Sequence, residues 1–306
     1  MRRVFLAALF TILLSVTPVH SILFQVSDDP LLHVQSSSPA WRCTGQFGLY
    51  TGTAISPCAF VTVKHIGGKV GDPFAYAGAS FTTTESFDDP LSDLRVWHVK
   101  ERLPWHASLY RAREEVGREV YLVGRGTRRG AEIYSGTRLL GWAWGESDHV
   151  QRWGVNWIRG LAQLSTGLGP VLTLGFEDGI SLDMSGASAG DSGGGVFDSN
   201  VLLGVLVAVS HNGQALFTSQ FYAIRISDRA SWIDSVAARP RLEAVWSQES
   251  VTLKPLDAIL GQQLIWQSSD DLITWQNVYT NRFWSLPFDR VTFPLTNKSG
   301  FYRLKL

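Results

Sequence analysis

The sequence predicts an all-β chain in two parts: a sandwich or barrel of many short strands closed by one helix, then a smaller β unit. Three observations predict it. First, short runs such as Gly52-Thr53-Ala54-Ile55, Phe60-Val61-Thr62-Val63, Val120-Tyr121-Leu122-Val123 and Gly204-Val205-Leu206-Val207-Ala208-Val209 are rich in valine, threonine and aromatics. They are broken by glycine, asparagine and aspartate, the pattern of many short strands. Second, one convincing helix follows Ser227 or Asp228, either of which can cap it. Trp232, Ile233 and Val236 share a face, and Pro240 stops the helix. Third, Leu264–Ser269 and Thr274–Tyr279 are strand-like runs split by a polar turn at Asp270-Asp271, and Phe301–Leu304 alternates as a last strand. The expected division is therefore residues 1–21, 22–239 and 240–306.

Residues 1–21 have the layout of a secretory signal peptide. Met1-Arg2-Arg3 is a short basic start, Val4–Val16 an apolar run, and Val19 and Ser21 are small residues at cleavage spacing. The run is short for a membrane span, so the mature chain is expected to lack one and to be secreted, periplasmic or at the cell surface. A buried N-terminal strand or an uncleaved anchor is the alternative. Ile22 to about Ala40 lacks periodicity and is expected to wrap the surface.

Composition narrows the classes further. Of 306 residues, 45% are hydrophobic and 18% charged, which suits a folded protein. Lys+Arg and Asp+Glu are 27 each, so the basic excess of a nucleic-acid binder is missing. Arg125, Arg128 and Arg129 among glycines read as a solvated turn. Cys43 and Cys58 are the only two cysteines, and an even number in an exported chain suggests one disulfide. Two buried free thiols are the alternative.

The strongest chemical signal is Ala189-Gly190-Asp191-Ser192-Gly193-Gly194-Gly195. A nucleophilic serine needs an exposed hydroxyl and nearby backbone N–H groups for a developing oxyanion, and glycines let the chain turn tightly enough to supply both. An ordinary turn has the same composition. A base is available in His65, at the end of Val61-Thr62-Val63-Lys64. A carboxylate to fix its tautomer is available in Asp93, at the start of Leu94-Arg95-Val96-Trp97. Asp88 and Asp89 compete for that role. A core or surface histidine and solvated loop acids are the plain readings of these residues taken singly.

These segments together resemble the chymotrypsin–trypsin family of serine proteases, of the bacterial secreted type. Gly190-Asp191-Ser192-Gly193-Gly194 is identical to the family's nucleophile motif. Gly52–Pro57 with Val61–His65 resembles its histidine segment, and Asp93-Leu94-Arg95-Val96 its aspartate segment. Val120–Gly126, Val205–Ser210, Ile224–Ser227 and Trp232-Ile233 resemble later strands and the closing helix. The resemblance covers about Trp41 to Ala238, in the order His, Asp, Ser, which other serine hydrolases do not share.

The resemblance implies a double six-stranded antiparallel β-barrel of trypsin-like type, with a C-terminal helix and the site between the barrels. It implies Ser192 as nucleophile, His65 as base, Asp93 as its orienting partner, and an oxyanion hole from the N–H groups of Gly190 and Ser192. No metal or organic cofactor is implied, and the substrates are polypeptides. Since His65 must be neutral to act as base, activity is expected to fall below about pH 6–7. Asp191 resembles a residue that pairs with a new N-terminal ammonium, which cleavage after Ser21 would create at Ile22.

Departures from the family pattern set the remaining expectations. Ile66 stands where the family has a cysteine after the histidine, so a Cys43–Cys58 bridge is not the family's usual one. Gly186 stands six residues before Ser192, where trypsin-like members carry an aspartate, and Ser210-His211-Asn212-Gly213 departs from Ser-Trp-Gly. With Gly186, Ser210, His211 and Asn212 taken as pocket residues, the expected preference is an uncharged or small side chain. The tail resembles small C-terminal β-sandwich-like domains of secreted bacterial proteins, which implies an accessory module binding a surface or sorting partner. Its alternative role is to stabilise the core by packing. Two rival functions stand beside the peptidase: a catalytically inactive homologue acting as an extracellular binding module, and an esterase on the same scaffold.

Overall fold

The computed structural model describes residues 22–25, 33–34, 36–147, 149–164, 167–178, 183–211, 213–237, 241–256, 263–282, 290–294 and 300–305. The leader expected over residues 1–21 lies outside them.

Two closed barrels carry the larger part. The first holds β1 (Thr44–Phe47), β2 (Tyr50–Ser56), β3 (Ala59–Val63), β4 (Pro73–Tyr76), β5 (Ala79–Asp88) and β6 (Leu94–Val99) in the order β1-β2-β3-β6-β5-β4. Pairing of Gln46 with Ala75 and of Phe47 with Phe74 closes it. The second holds β7 (Glu119–Gly124), β8 (Arg152–Gln163), β9 (Pro170–Gly175), β10 (Gly195–Asp198), β11 (Val201–Val209) and β12 (Gln220–Arg225). Its order is β7-β8-β9-β12-β11-β10, with β10 returning to β7, so the two barrels repeat one topology. All pairings within both barrels are antiparallel. Closure leaves no long exposed strand edge around either barrel.

Side-chain alternation explains why some strands are buried on both faces. Every residue of β3 is buried. Phe60 points into the first barrel with Phe47, Phe74, Tyr76, Phe81 and Trp97. Its neighbours Val61 and Val63 face the other way, joining Leu94, Val96, Val123, Val205 and Ile224 in a core between the barrels. β7 alternates likewise: Val120 and Leu122 fill the second barrel, and Val123 joins the shared core. A strand sandwiched between two apolar layers reads as a continuous hydrophobic run.

The expected helix forms over Ala230–Ala237 and buries Ala230, Ile233 and Ala237 on the shared core. Ser227 does not cap it; its hydroxyl donates to Glu115 Oε1 at 2.6 Å. The same carboxylate takes Arg225 Nε at 2.9 Å and Nη2 at 2.7 Å.

Two expectations about loops are overturned. The segment expected to wrap the surface from Ile22 onward begins instead in the interior: Ile22, Leu23 and Phe24 are buried, and Leu23–Phe24 pairs as a short strand with Ser185–Gly186, while residues 26–32 and 35 lie outside the described residues. The apolar clusters of the second barrel supply the burial that its own sequence, too short for a period, could not signal. The arginines after β7 are not merely solvated. Arg125 donates to His149 O and Gln151 Oε1, and Arg129 donates to Gln25 O while lying 4.4 Å over the Trp142 ring.

The tail forms two three-stranded sheets. Arg241–Trp246, Ser250–Leu256 and Val291–Pro294 make one; Gln276–Arg282, Gln263–Ser269 and Phe301–Lys305 make the other. Val251, Leu253 and Trp266 are its buried centre, with Val291, Phe293, Tyr302 and Leu304 packed against them.

Candidate active site

The site forms where the barrels meet. β3 runs into a single 3-10 turn, Lys64–Ile66, which lifts His65 out of the buried strand to a half-exposed position. The turn is tied to the start of β6 by Lys64 N donating to Asp93 O at 2.6 Å. That bond sets the Asp93 carboxylate beside the ring: Nδ1 of His65 lies 2.5 Å from Asp93 Oδ2. On the other side of the ring, Nε2 lies 2.9 Å from Ser192 Oγ. With the Nδ1 proton held by the carboxylate, Nε2 is left with a lone pair facing the serine hydroxyl.

The competing acids are engaged elsewhere. Asp88 forms a two-pronged pair with Arg95, at 2.5 and 2.9 Å, which holds its carboxyl below the ordinary range. Asp89 accepts from Ser92 Oγ and the Leu91 amide, and Lys64 Nζ donates to its carbonyl.

The glycines around Ser192 are required by geometry. Gly193 has φ +83°, and a Cβ there would sit 2.0 Å from Thr51 O. Gly190 has φ +94°, in the left-handed region that glycine enters without strain. The loop is clamped through its aspartate. Asp191 Oδ1 accepts the Gly126 amide at 2.7 Å, and Oδ2 accepts the Ser188 amide at 2.8 Å and its hydroxyl at 3.1 Å. Burial pushes the Asp191 carboxyl up to about 6, against the lowering by these donors. The amide of Gly193 is spent on Leu206 O. Those of Gly190 and Ser192 donate to no acceptor among the described residues. Two unengaged N–H groups beside a hydroxyl already bonded to an imidazole can stabilise an oxyanion as it forms.

Asp191 therefore finds its donors in Gly126 and Ser188. Ile22 packs with Phe24, Val120, Leu122 and Ile158 in the second barrel.

A hollow of about 190 Å³ opens beside Ser192, and it is not where the sequence placed it. Gly186 is buried in its pairing with Leu23, under Phe176. Ser210 Oγ bonds its neighbour His211 and neither lines the hollow; Asn212 lies outside the described residues. Ala187, Ala189, Val207–Val209 and Trp144 line it instead. The run Gly204–Val209 was visible as a strand, but only the pairing of Ala208 with Tyr222 and Val209 with Phe221 shows which residues reach the site. No signal pointed to Trp144, which arrives from a separate hairpin, Arg129–Ser135 and Arg138–Trp144. Nor did any signal point to Gly126 as a partner of Asp191.

The expected disulfide is absent: Cys43 and Cys58 are both free thiols. Cys43 Sγ donates to Asn200 Oδ1 at 3.3 Å in a buried position, and Cys58 Sγ lies 3.7 Å from Ala237 O beside the closing helix. Each thiol has a different neighbour, so the hairpin between them needs no bridge. Among the described residues, no cluster of histidine, cysteine, aspartate and glutamate could hold a metal ion, and no helix is long and apolar enough to cross a membrane.

No protein-family model matches the sequence, and no curated protein does. Among solved structures, neuropsin, a serine protease of the mouse brain limbic system, aligns with a TM-score of 0.49 at 12% identity. That alignment covers 66% of this chain and 97% of that one. An inactivated protease paralogue of the scabies mite aligns with a TM-score of 0.46 at 15% identity, over 65% of this chain and 96% of that one.

Proposed function

We propose that the chain is an exported serine endopeptidase that cleaves peptide bonds through an acyl-enzyme intermediate. The observation that carries this reading is the unbroken relay Asp93–His65–Ser192, at 2.5 and 2.9 Å, beside the two unengaged amides of Gly190 and Ser192. Its chemistry follows from the atoms. Ser192 Oγ adds to the scissile carbonyl while Nε2 of His65 takes its proton; Asp93 holds the ring and stabilises the imidazolium. The carbonyl oxygen becomes an oxyanion within reach of the two amides. The C–N bond then breaks, and His65 returns the proton to the departing amine. Water, deprotonated by the same imidazole, releases the acyl group and restores the serine.

The edge of β11 supports a polypeptide substrate. At Ala208 and Val209 one side pairs with β12, while the side toward Ser192 pairs with no strand among the described residues. An extended peptide can add there by main-chain hydrogen bonds. Export belongs to the same reading and rests on the leader-like pattern of residues 1–21.

A fluorophosphonate probe and casein test the proposal on the full chain and on Ser192→Ala. Labelling and proteolysis that vanish in the variant are the expected result. An unlabelled wild type that leaves casein intact would replace this reading with that of a silent binding homologue. Labelling with hydrolysis of esters alone would favour the esterase.

A further inference from the structure

We infer that the hollow beside Ser192 selects peptides carrying an uncharged apolar side chain of Leu, Met or Phe size on the acyl side of the scissile bond, the P1 position. The inference rests on the peptidase reading above and adds its substrate class. The walls of the hollow are residues 187–189 and 191–192 of the serine loop, residues 206–209 of β11, and the Trp144 indole. Apart from Asp191, none carries a charge.

One titratable side chain besides the serine's own relay borders this space, and its charge is not on offer. Asp191 is 1% exposed, and its two oxygens accept three protein donors, from Gly126 and Ser188. A P1 lysine or arginine would enter without a counter-ion. A P1 aspartate or glutamate would meet no lysine, arginine or histidine on the walls. Burying an ion unpaired is costly enough to exclude both kinds.

Size is set by the volume and by Trp144. An apolar cavity of about 150 Å³ is enough to hold benzene, so about 190 Å³ admits a leucine, methionine or phenylalanine side chain. Alanine would leave most of the wall area in contact with water and forgo the burial that larger side chains gain. Trp144 stands at the end of its strand, paired with Arg129 and held by its amide to Gly213 O at 2.8 Å. Its side chain packs against the cluster of Leu23, Trp142, Phe176 and Ala215, which makes the indole a wall that limits the larger aromatic side chains.

Tetrapeptide anilides identical except at P1 test this on the full chain, with fluorophosphonate labelling run in parallel. Leu, Met and Phe are expected to exceed Lys, Arg, Asp and Glu in kcat/KM by at least about 100-fold, and Ala by about 10-fold. A labelled enzyme that turns over a charged P1 residue as well as Leu overturns the selectivity and leaves the peptidase reading standing. An enzyme that neither labels nor cleaves removes both. Trp144→Ala adds a second readout: the ratio of P1 Trp to P1 Ala hydrolysis should rise at least about fivefold. An unchanged ratio would show that Trp144 does not bound the pocket.

Discussion

Asp191 couples the geometry of the serine loop to pH. Its carboxyl is raised from 3.8 to about 6, chiefly because burial disfavours the charge. Folding therefore favours the protonated form. The stability that this contributes is fully present below pH 3.8 and is lost as pH rises through about 6, roughly 3 kcal/mol for a shift of this size. Urea unfolding of the wild type and of Asp191→Asn, from pH 4 to 7, checks this. The wild type should lose about 2 kcal/mol relative to the variant across that window; parallel profiles would contradict it. The cysteines give a second test at this scale. Burial pushes the Cys43 thiol up to about 12, so it has almost no thiolate at neutral pH. Without reductant, a thiol reagent should leave Cys43 unmodified in the native protein and count two thiols once the chain is unfolded. A count of zero after unfolding would reinstate a disulfide.

At the scale of elements, the most exacting contact is the one that anchors the end of β12. Glu115 is fully buried; burial alone would raise its pKa, but the Arg225 guanidinium and the Ser227 hydroxyl outweigh that and hold it low. Glu115→Gln should destabilise the protein by about 3 kcal/mol, because it strands the buried charge of Arg225. The thermal midpoint measures this, and a change within the range of ordinary surface substitutions would show that Asp228, 3.4 Å from Arg225, suffices as partner. Such contacts mark the limit of what the sequence could reveal. β3, β7, β11 and the closing helix were legible because each announces itself by a local period or a run of valines and aromatics. His65 and Asp93 were legible at the end and the start of such runs, and Ser192 within the glycine-rich segment 189–195. The strand Leu23–Phe24 and the hollow were not, since each is defined by partners far away: Gly186 for Leu23, and Tyr222 and Phe221 for Ala208 and Val209. A segment of two paired residues has no period to read. The disulfide expectation failed for the same reason, as spacing says nothing of where a thiol points.

The whole molecule divides by where its apolar side chains meet. The two barrels share a core with the closing helix, and the cluster of Val251, Leu253 and Trp266 draws all its members from residues beyond Pro240. A unit with its own core can fold alone, so we propose residues 22–239 as the peptidase domain and 240–306 as a separate β domain. Every residue of the relay, the clamp and the hollow precedes Ala237, and among the described residues the shared core takes no member from the tail. A chain ended after Arg239 should therefore react with the fluorophosphonate probe at the rate of the full chain within about twofold. Its unfolding should lose one transition and keep the other, because two cores unfold as two units. If the truncated chain folds to the same circular dichroism but labels slowly, the tail is part of the peptidase site. If it does not fold, residues 240–306 serve the barrels as packing, and their role as an accessory module falls.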